Sequence, residues 1–138
     1  MGDPMAAAAA LAVQDVIRRD KLIDNVAAMG RLLQRRLAER FANAPFMGDI
    51  RGRGLFWGLE LVEDRGAKRP FDRALKVHAR VKREAMARGL IVYPMGGTID
   101  GLHGDHVLLA PPFIVNAPQV EAIVGRLGDA IDAAVVGL

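Results

Sequence analysis

The spacing of the apolar residues changes along the chain, and this change limits the fold more than any other feature of the sequence. Between residues 22 and 41 the apolar residues recur every three or four positions, which is the period of one helix face. From residue 55 onward they recur every second position, at Leu55, Trp57, Leu59 and Leu61, which is the period of a strand with one buried face. The chain therefore combines helices with a sheet, and one face of that sheet has to be covered.

Capping signals predict where the helices begin and end. Asp3 followed by Pro4 is typical of a helix start, because the carboxylate can cap the first turn and proline at its first position loses no hydrogen bond. Asn116 with Gln119 three residues later has the pattern of a capping box. Gly89 is typical of the residue that closes a helix in left-handed geometry. These signals and the apolar spacing predict helices that begin at Pro4, cover residues 22–41 and 71–88, and follow Asn116.

The predicted strands are few and short. Besides the strand over residues 55–62, we expect strands over residues 90–93 and 107–110, and a loop over residues 94–104, which contain four glycines. The resulting order is helix, helix, strand, helix, strand, strand, helix. The sequence therefore predicts one α+β domain of 138 residues, in which helices cover a small antiparallel sheet of about three strands.

Composition excludes several kinds of site. The chain has no cysteine and no serine, which excludes a disulfide, a thiolate ligand and a serine nucleophile. His103, Asp105 and His106 lie close together, but zinc sites usually draw their ligands from separate elements. We therefore expect no metal and interpret these three as solvated loop residues, with Asp105 capping a turn. The sequence has no apolar run of the roughly eighteen residues that a membrane span needs, and the absence of cysteine fits the cytoplasm.

The basic residues are concentrated in the first part of the chain. Eighteen of the nineteen lysines and arginines lie at or before Arg88, against eleven acidic residues there, so this part carries a net charge of +7. Arg73, Lys76, Arg80 and Arg83 recur at helical spacing and form a basic stripe. We interpret the stripe as a solvated helix face, because no aromatic side chains are interleaved with it to stack on bases. A small basic module that binds nucleic acid or another anionic surface, without catalysis, is the alternative.

Four motifs occur in order along the chain. They are Gly2–Pro4 before an alanine-rich helix, Asp49–Leu55 running into Gly58–Leu61, Gly89–Tyr93, and Gly104–Pro112. In this order and at these intervals they resemble the C-terminal region of the class III aminotransferases, which depend on pyridoxal phosphate (PLP). Each motif is weak by itself, but the four together cover almost the whole chain.

The resemblance implies a fold type I enzyme with a large cofactor domain and a small C-terminal domain, and residues 1–138 resemble the small one. In the family, the Schiff-base lysine, the aspartate on the pyridine nitrogen and the phosphate-binding groups precede the matching region. The resemblance therefore implies that this chain has no catalytic and no cofactor-binding residue and is inactive alone. The four lysines agree with this, because Lys21, Lys68, Lys76 and Lys82 lie on polar helix faces or in a loop.

The resemblance also implies substrates and partners. The complete enzyme would use PLP to transfer an amino group from an amine or amino acid to a keto acid. Its partners would be the large domain of the same enzyme and the second subunit of a homodimer, and neither nucleic acid nor a membrane is expected. We expect these partners to cover the alanine-rich helix over Pro4–Val13, which would otherwise expose an apolar surface.

Two positions depart from the family's pattern. Members that bind the substrate carboxylate from this region often have an arginine at the position of Leu108, or a mobile arginine at the position of Tyr93. We expect the segment from Tyr93 to His106 to face the active-site entrance, with Tyr93, Thr98 and His103 as its polar candidates for contacting substrate. An arginine of the large domain is the alternative carboxylate-binding group.

Overall fold

The computed structural model describes residues 3–138. Its elements in chain order are α1 (Pro4–Arg19), α2 (Leu22–Phe41), β1 (Met47–Arg53), β2 (Phe56–Leu61), a single 3-10 turn (Arg73–Leu75), α3 (Val77–Ala87), β3 (Tyr93–Gly96), β4 (Asp105–Leu109) and α4 (Ala117–Val135). This combination of helices with an antiparallel sheet confirms the α+β class. No helix within residues 3–138 has the length and apolar character needed to cross a membrane.

The strands form one antiparallel sheet in the order β1-β2-β4-β3. The core lies on one face of it, where Trp57, Leu59 and Leu61 of β2 are almost fully buried. Val107 and Leu109 of β4 are buried on the same face. The helices supply the rest of this core, including Leu33, Leu37, Val81, Leu127 and Ile131. The opposite face of the sheet has no helix over it among the described residues.

The sheet contains one strand more than the sequence predicts. β1 pairs with β2 from Met47 opposite Leu61 to Arg53 opposite Phe56. As an edge strand it has one neighbour, and Met47 is its only buried residue. A strand that buries so little has no alternating apolar pattern, which is why the spacing of apolar residues did not indicate it.

The strand expected over residues 90–93 lies further along the chain. β3 runs from Tyr93 to Gly96, so it shares Tyr93 with the predicted strand and otherwise lies in the segment predicted as a loop. Leu90 is buried where the chain leaves α3, and its backbone N–H donates to the Ala85 carbonyl at 2.9 Å. Leu90 therefore packs into the core at the end of α3 and is not part of a strand. Pairing with β4 begins only at Tyr93.

The helix expected over residues 71–88 is interrupted. Lys76 adopts φ 47°, in the left-handed region, between the 3-10 turn and α3. The Asp72 carboxylate caps the turn by accepting from the Ala74 N–H at 2.8 Å. An aspartate competes in this way with continuous helix, so the chain makes a separate turn before α3 begins.

This interruption overturns the predicted basic stripe. Arg73 lies in the 3-10 turn and Lys76 at the left-handed junction, whereas Arg80 and Arg83 lie in α3. Arg80 turns back toward the junction, and its Nε donates to the Leu75 carbonyl at 3.2 Å. The four cations therefore do not form one helical row, because the helical period does not continue through Lys76.

The predicted caps are confirmed. Asp3 Oδ1 accepts from the backbone N–H two residues later at 2.9 Å. Asn116 and Gln119 each accept from the other's backbone N–H at 3.0 Å. Gly89 follows α3 with φ 68°. Gly2, the first residue of the first motif, lies outside the described residues.

Every residue of helix α1 except the half-buried Ile17 is exposed. The helix has no buried residue, and Met5, Leu11 and Val13 are 80%, 67% and 56% exposed. Moving an apolar side chain out of water lowers the free energy, so a helix with this exposed surface is stabilised by a partner that covers it. The apolar surface that the sequence predicts for Pro4–Val13 is therefore present.

Candidate functional site

The uncovered face of the sheet carries the candidate site, and we call it the outer face. Successive residues of a strand point to opposite faces, so its members are every second residue of each strand. One row runs across the sheet through Arg51, Gly58, Leu108 and Tyr93, which are opposite one another in the register. The row below it contains Glu60, His106 and Met95.

A hollow of about 650 Å³ lies on the outer face, and we call it the arginine hollow. Gly58 forms its floor, because it has no side chain, and a Cβ built there would stand 3.5 Å from Leu108 Cδ2. Arg51 and Arg53 of β1 form one wall. The opposite wall contains Thr98 and His106, while Phe56, Glu60 and Leu108 complete the lining.

Thr98 and His106 are joined in that wall. The Thr98 hydroxyl lies 2.7 Å from His106 Nδ1, within hydrogen-bond distance. The sequence indicates Thr98 as a candidate for contacting substrate but His106 as a solvated loop residue, and the structure instead places His106 half-buried in β4. The alternation of β4 could have revealed it, since His106 lies two residues before Leu108 and therefore on the same face.

Tyr93 lies beside a second hollow of about 500 Å³, which shares Phe56 and Leu108 with the arginine hollow. Its side chain is exposed and stands directly opposite Leu108 in the β3–β4 pair. The remaining lining of this second hollow is mostly apolar and includes Ile91 and Pro112. The structure thus places Tyr93 and Thr98 on neighbouring parts of the same surface.

His103 is not among the residues that line either hollow. Its ring Nδ1 lies 2.7 Å from Asp100 Oδ2, and its backbone N–H donates to Asp100 Oδ1 at 2.7 Å. These bonds, with one from the Leu102 N–H, hold the pKa of the Asp100 carboxyl well below its usual range. His103 therefore closes a local turn, and the structure does not bring it to Thr98 and Tyr93.

Asp105 is buried, which overturns its interpretation as a solvated turn cap. Its carboxylate accepts from the backbone N–H of His78 at 2.9 Å, and the His78 ring Nδ1 lies 2.5 Å from the same oxygen. Asp105 thus ties β4 to the first turn of α3, which no local sequence pattern indicates. His103, Asp105 and His106 each have a different partner, and no three such side chains within residues 3–138 are placed to hold a metal ion.

The two arginines of the arginine hollow differ in their surroundings. Arg51 Nη1 lies 2.5 Å from Asp49 Oδ2 and 3.8 Å from Glu60 Oε2. Arg53, two residues further along the same strand, has no ion pair among the described residues, and its side chain is exposed. The positive charge of Arg51 is thus balanced locally, whereas that of Arg53 is not.

The lysines provide no Schiff-base site. Lys21, Lys68, Lys76 and Lys82 are all exposed. A lysine that forms a Schiff base is activated by a desolvated pocket or by a neighbouring cation, and an exposed ammonium has no such setting. Within residues 3–138, the structure therefore does not supply the group to which PLP would be bonded.

Comparison with known proteins identifies the family. The family model described as "Aminotransferase class-III" matches residues 1–131. The chain belongs to the class III aminotransferases. An uncharacterized aminotransferase of Schizosaccharomyces pombe is 47% identical over 135 residues, and the match covers 98% of this chain but 29% of that protein.

Solved structures of transaminases agree with the fold. A transaminase from the marine bacterium Virgibacillus superimposes with a TM-score of 0.87 at 30% identity, over 95% of this chain and 29% of its own. A PLP-bound aminotransferase from Vibrio fluvialis gives a TM-score of 0.77 at 33% identity, over 87% of this chain and 25% of its own. The chain thus spans less than a third of the length of these relatives.

Proposed function

We propose that this chain is the small C-terminal domain of a PLP-dependent class III aminotransferase and functions together with a large cofactor domain outside residues 1–138. The complete enzyme transfers an amino group from an amine or amino acid to a keto acid. The observation that carries this proposal is the match of almost the whole chain to less than a third of each relative. The exposure of all four lysines supports it, because the group that bonds the cofactor must then come from elsewhere.

PLP would supply an electron sink for the carbon that gains or loses the amino group. The described residues do not fit the cofactor itself, since they offer neither a desolvated lysine nor a buried polar group without a partner. We therefore assign no catalytic and no cofactor-binding residue to this chain. Its contribution to catalysis is proposed to be a wall of the substrate entrance.

The outer face of the sheet is our candidate for that wall. It is uncovered among the described residues, and it combines an apolar part beside Tyr93 with a polar part beside Thr98. Most ligand sites combine an apolar lining with a few convergent polar groups in this way. We propose that Tyr93 and Thr98 contact substrate, and that His103 supports the same entrance by fixing the turn after Thr98.

We also propose that helix α1 is covered in the complete enzyme by the large domain and by the second subunit of a homodimer. The apolar groove formed by Val13, Val16 and Phe113 would be buried in that contact. A cytoplasmic location is part of the same proposal, supported by the absence of cysteine.

The activity can be tested by comparing the complete gene product with residues 1–138 alone. Each is incubated with PLP, desalted and mixed with an amine donor, while the cofactor absorbance and the amination of pyruvate are followed. We expect stoichiometric PLP and amino transfer for the complete product, and neither for residues 1–138. Amino transfer by residues 1–138 alone, or a complete product that retains no PLP, would contradict the proposal.

The entrance can be tested with a matched pair of substitutions at Thr98. Thr98→Val removes the hydroxyl at similar volume, whereas Thr98→Ser keeps it. Because one hydrogen bond contributes about 0.5–1.5 kcal/mol, we expect Thr98→Val to raise the KM of the complete enzyme roughly two- to tenfold, with Thr98→Ser close to wild type. Equal effects of the two substitutions, or no effect of either, would remove Thr98 from the entrance.

A further inference from the structure

Arg53 is the only described arginine of the sheet that combines three features. It lies on the outer face, it lines the arginine hollow, and it has no ion pair among the described residues. A guanidinium with no carboxylate beside it retains all five N–H donors and an uncompensated positive charge. Such a group is suited to bind an external carboxylate through two parallel hydrogen bonds.

Arg51 defines the side of the hollow on which a carboxylate can bind. Its guanidinium is held by Asp49 and lies near Glu60, so the part of the hollow beside these two residues already contains negative charge. A carboxylate placed there would meet like charges, whereas one placed near Arg53 would not. The backbones of Arg51 and Arg53 are about 6.6 Å apart along the strand, and only Arg51 is paired with a carboxylate.

The surroundings of Arg53 also suggest what the carboxylate is attached to. Phe56 is opposite Arg53 in the hairpin and is 59% exposed, although it is a large apolar residue. Leu108 and Tyr93 continue this apolar surface across the sheet, and neither offers a cation. Gly58 leaves the space above β2 open between the arginine and Leu108.

We propose that Arg53 binds the carboxylate of the amino acid or keto acid substrate, and that Phe56 and Leu108 hold its carbon chain. The preferred substrate class is therefore a monocarboxylate with an apolar chain. This inference rests on the proposed function, since it places a substrate on the outer face. Arg53 is a substrate-binding and specificity-determining residue in it, whereas the carboxylates of Asp49 and Glu60 beside Arg51 make the rest of the hollow unfavourable to a second carboxylate.

The test uses the complete, PLP-loaded enzyme and two donors that differ only in the carboxylate, 5-aminopentanoate and pentylamine. Arg53→Gln removes the guanidinium charge, and Arg53→Lys keeps the charge without the bidentate geometry. The matched control is Arg31→Gln on α2, because Arg31 is also exposed and has no ion pair among the described residues. Binding of pentanoate, which has no amino group to transfer, is measured separately by calorimetry.

We expect Arg53→Gln to raise the KM for 5-aminopentanoate and the Kd for pentanoate roughly ten- to hundredfold, because hydrogen bonds to charged groups are among the strong ones. Arg53→Lys should lie between Arg53→Gln and wild type. The KM for pentylamine should stay within about twofold of wild type in every variant, and Arg31→Gln should change none of these values.

The outcomes separate this inference from the proposed function. If the wild-type enzyme transfers an amino group from neither donor, the proposed function fails. If it uses both donors but Arg53→Gln binds pentanoate as wild type does, the inference about Arg53 alone is wrong. An equal loss for 5-aminopentanoate and pentylamine would also overturn it, because such a loss reports a change of shape and not of carboxylate binding.

Discussion

Replacing Gly30 by alanine should destabilise the chain, although alanine is the better helix former. Gly30 lies inside α2, where a change from glycine to alanine ordinarily contributes about 1 kcal/mol of stability. A Cβ at this position would stand 2.5 Å from the Gly54 carbonyl oxygen and 2.8 Å from Gly54 Cα. Both contacts are with backbone at the tip of the β1–β2 hairpin, so no side-chain rotation can relieve them.

The size of the effect follows from the movement that the contact demands. Ordinary contact begins near 3.4 Å, so the hairpin tip and α2 have to separate by about 0.9 Å. The same carbonyl oxygen accepts the hydrogen bond of the Trp57 indole N–H at 2.8 Å, and the separation strains that bond as well. Overpacking of this kind costs about 1–3 kcal/mol, which equals or exceeds the gain of about 1 kcal/mol in helix propensity. We expect Gly30→Ala to lower the free energy of unfolding by up to about 2 kcal/mol.

Gly125 provides the matched control. It also lies inside a helix, α4, but a Cβ built on it meets nothing within 4 Å. Gly125→Ala should therefore raise the free energy of unfolding by about 1 kcal/mol. Urea unfolding followed by the fluorescence of Trp57, the only tryptophan, measures both variants. If Gly30→Ala stabilises the chain as much as Gly125→Ala does, the hairpin does not rest on α2, and the placement of Arg53 and Phe56 loses its support.

Three further predictions concern the polar contacts and the exposed helix. Asp105→Asn should lower the free energy of unfolding by about 1–3 kcal/mol, because it weakens the buried contacts of Asp105 with His78. The control Asp129→Asn, at an exposed site, should change the free energy of unfolding by less than about 0.5 kcal/mol. Equal effects of the two substitutions would contradict the role of Asp105. The pKa of Asp100 is lower in the folded than in the unfolded chain. The Asp100 carboxylate therefore contributes its full share of folding stability above the usual pKa of 3.8, and this contribution is lost as the pH falls below that value. The difference in unfolding free energy between wild type and Asp100→Asn should accordingly be present at pH 7 and shrink below about pH 4, and a difference independent of pH would refute that role. In residues 1–138 alone, the amides of α1 should exchange faster than those of α4, and the apparent mass should rise with concentration; slow exchange from Ala6 to Val13 in a monomer would show that the helix needs no partner.

The parts of the fold that could be predicted from sequence are those with a local signal. The two caps, at Asp3 and Asn116, depend on contacts between residues two or three apart, so a short stretch of sequence contains the whole interaction. The alternation from Leu55 to Leu61 predicted the buried face of β2, because burial on one face forces that period.

The parts that could not be predicted depend on distant contacts. β1 is a strand because it pairs with β2, although its own residues have almost no apolar alternation. The break at Lys76 separates two capped units, and the second cap comes from Asp105, 27 residues away from His78 in the chain. The same reason applies to the candidate site: the sequence indicates Tyr93, at the end of a predicted strand, and Thr98, in the predicted loop, but the arginines across the hollow from Thr98 belong to the strand that was missed.

We infer that this chain lacks the lysine that bonds PLP and belongs to an enzyme whose cofactor domain lies outside residues 1–138. Reduction with borohydride in the presence of PLP, followed by digestion and peptide mapping, locates that lysine in the complete gene product and in residues 1–138 alone. We predict one stoichiometrically labelled lysine in the complete product, outside residues 1–138, and only scattered labelling of the isolated chain. Stoichiometric labelling of Lys21, Lys68, Lys76 or Lys82 would contradict the account.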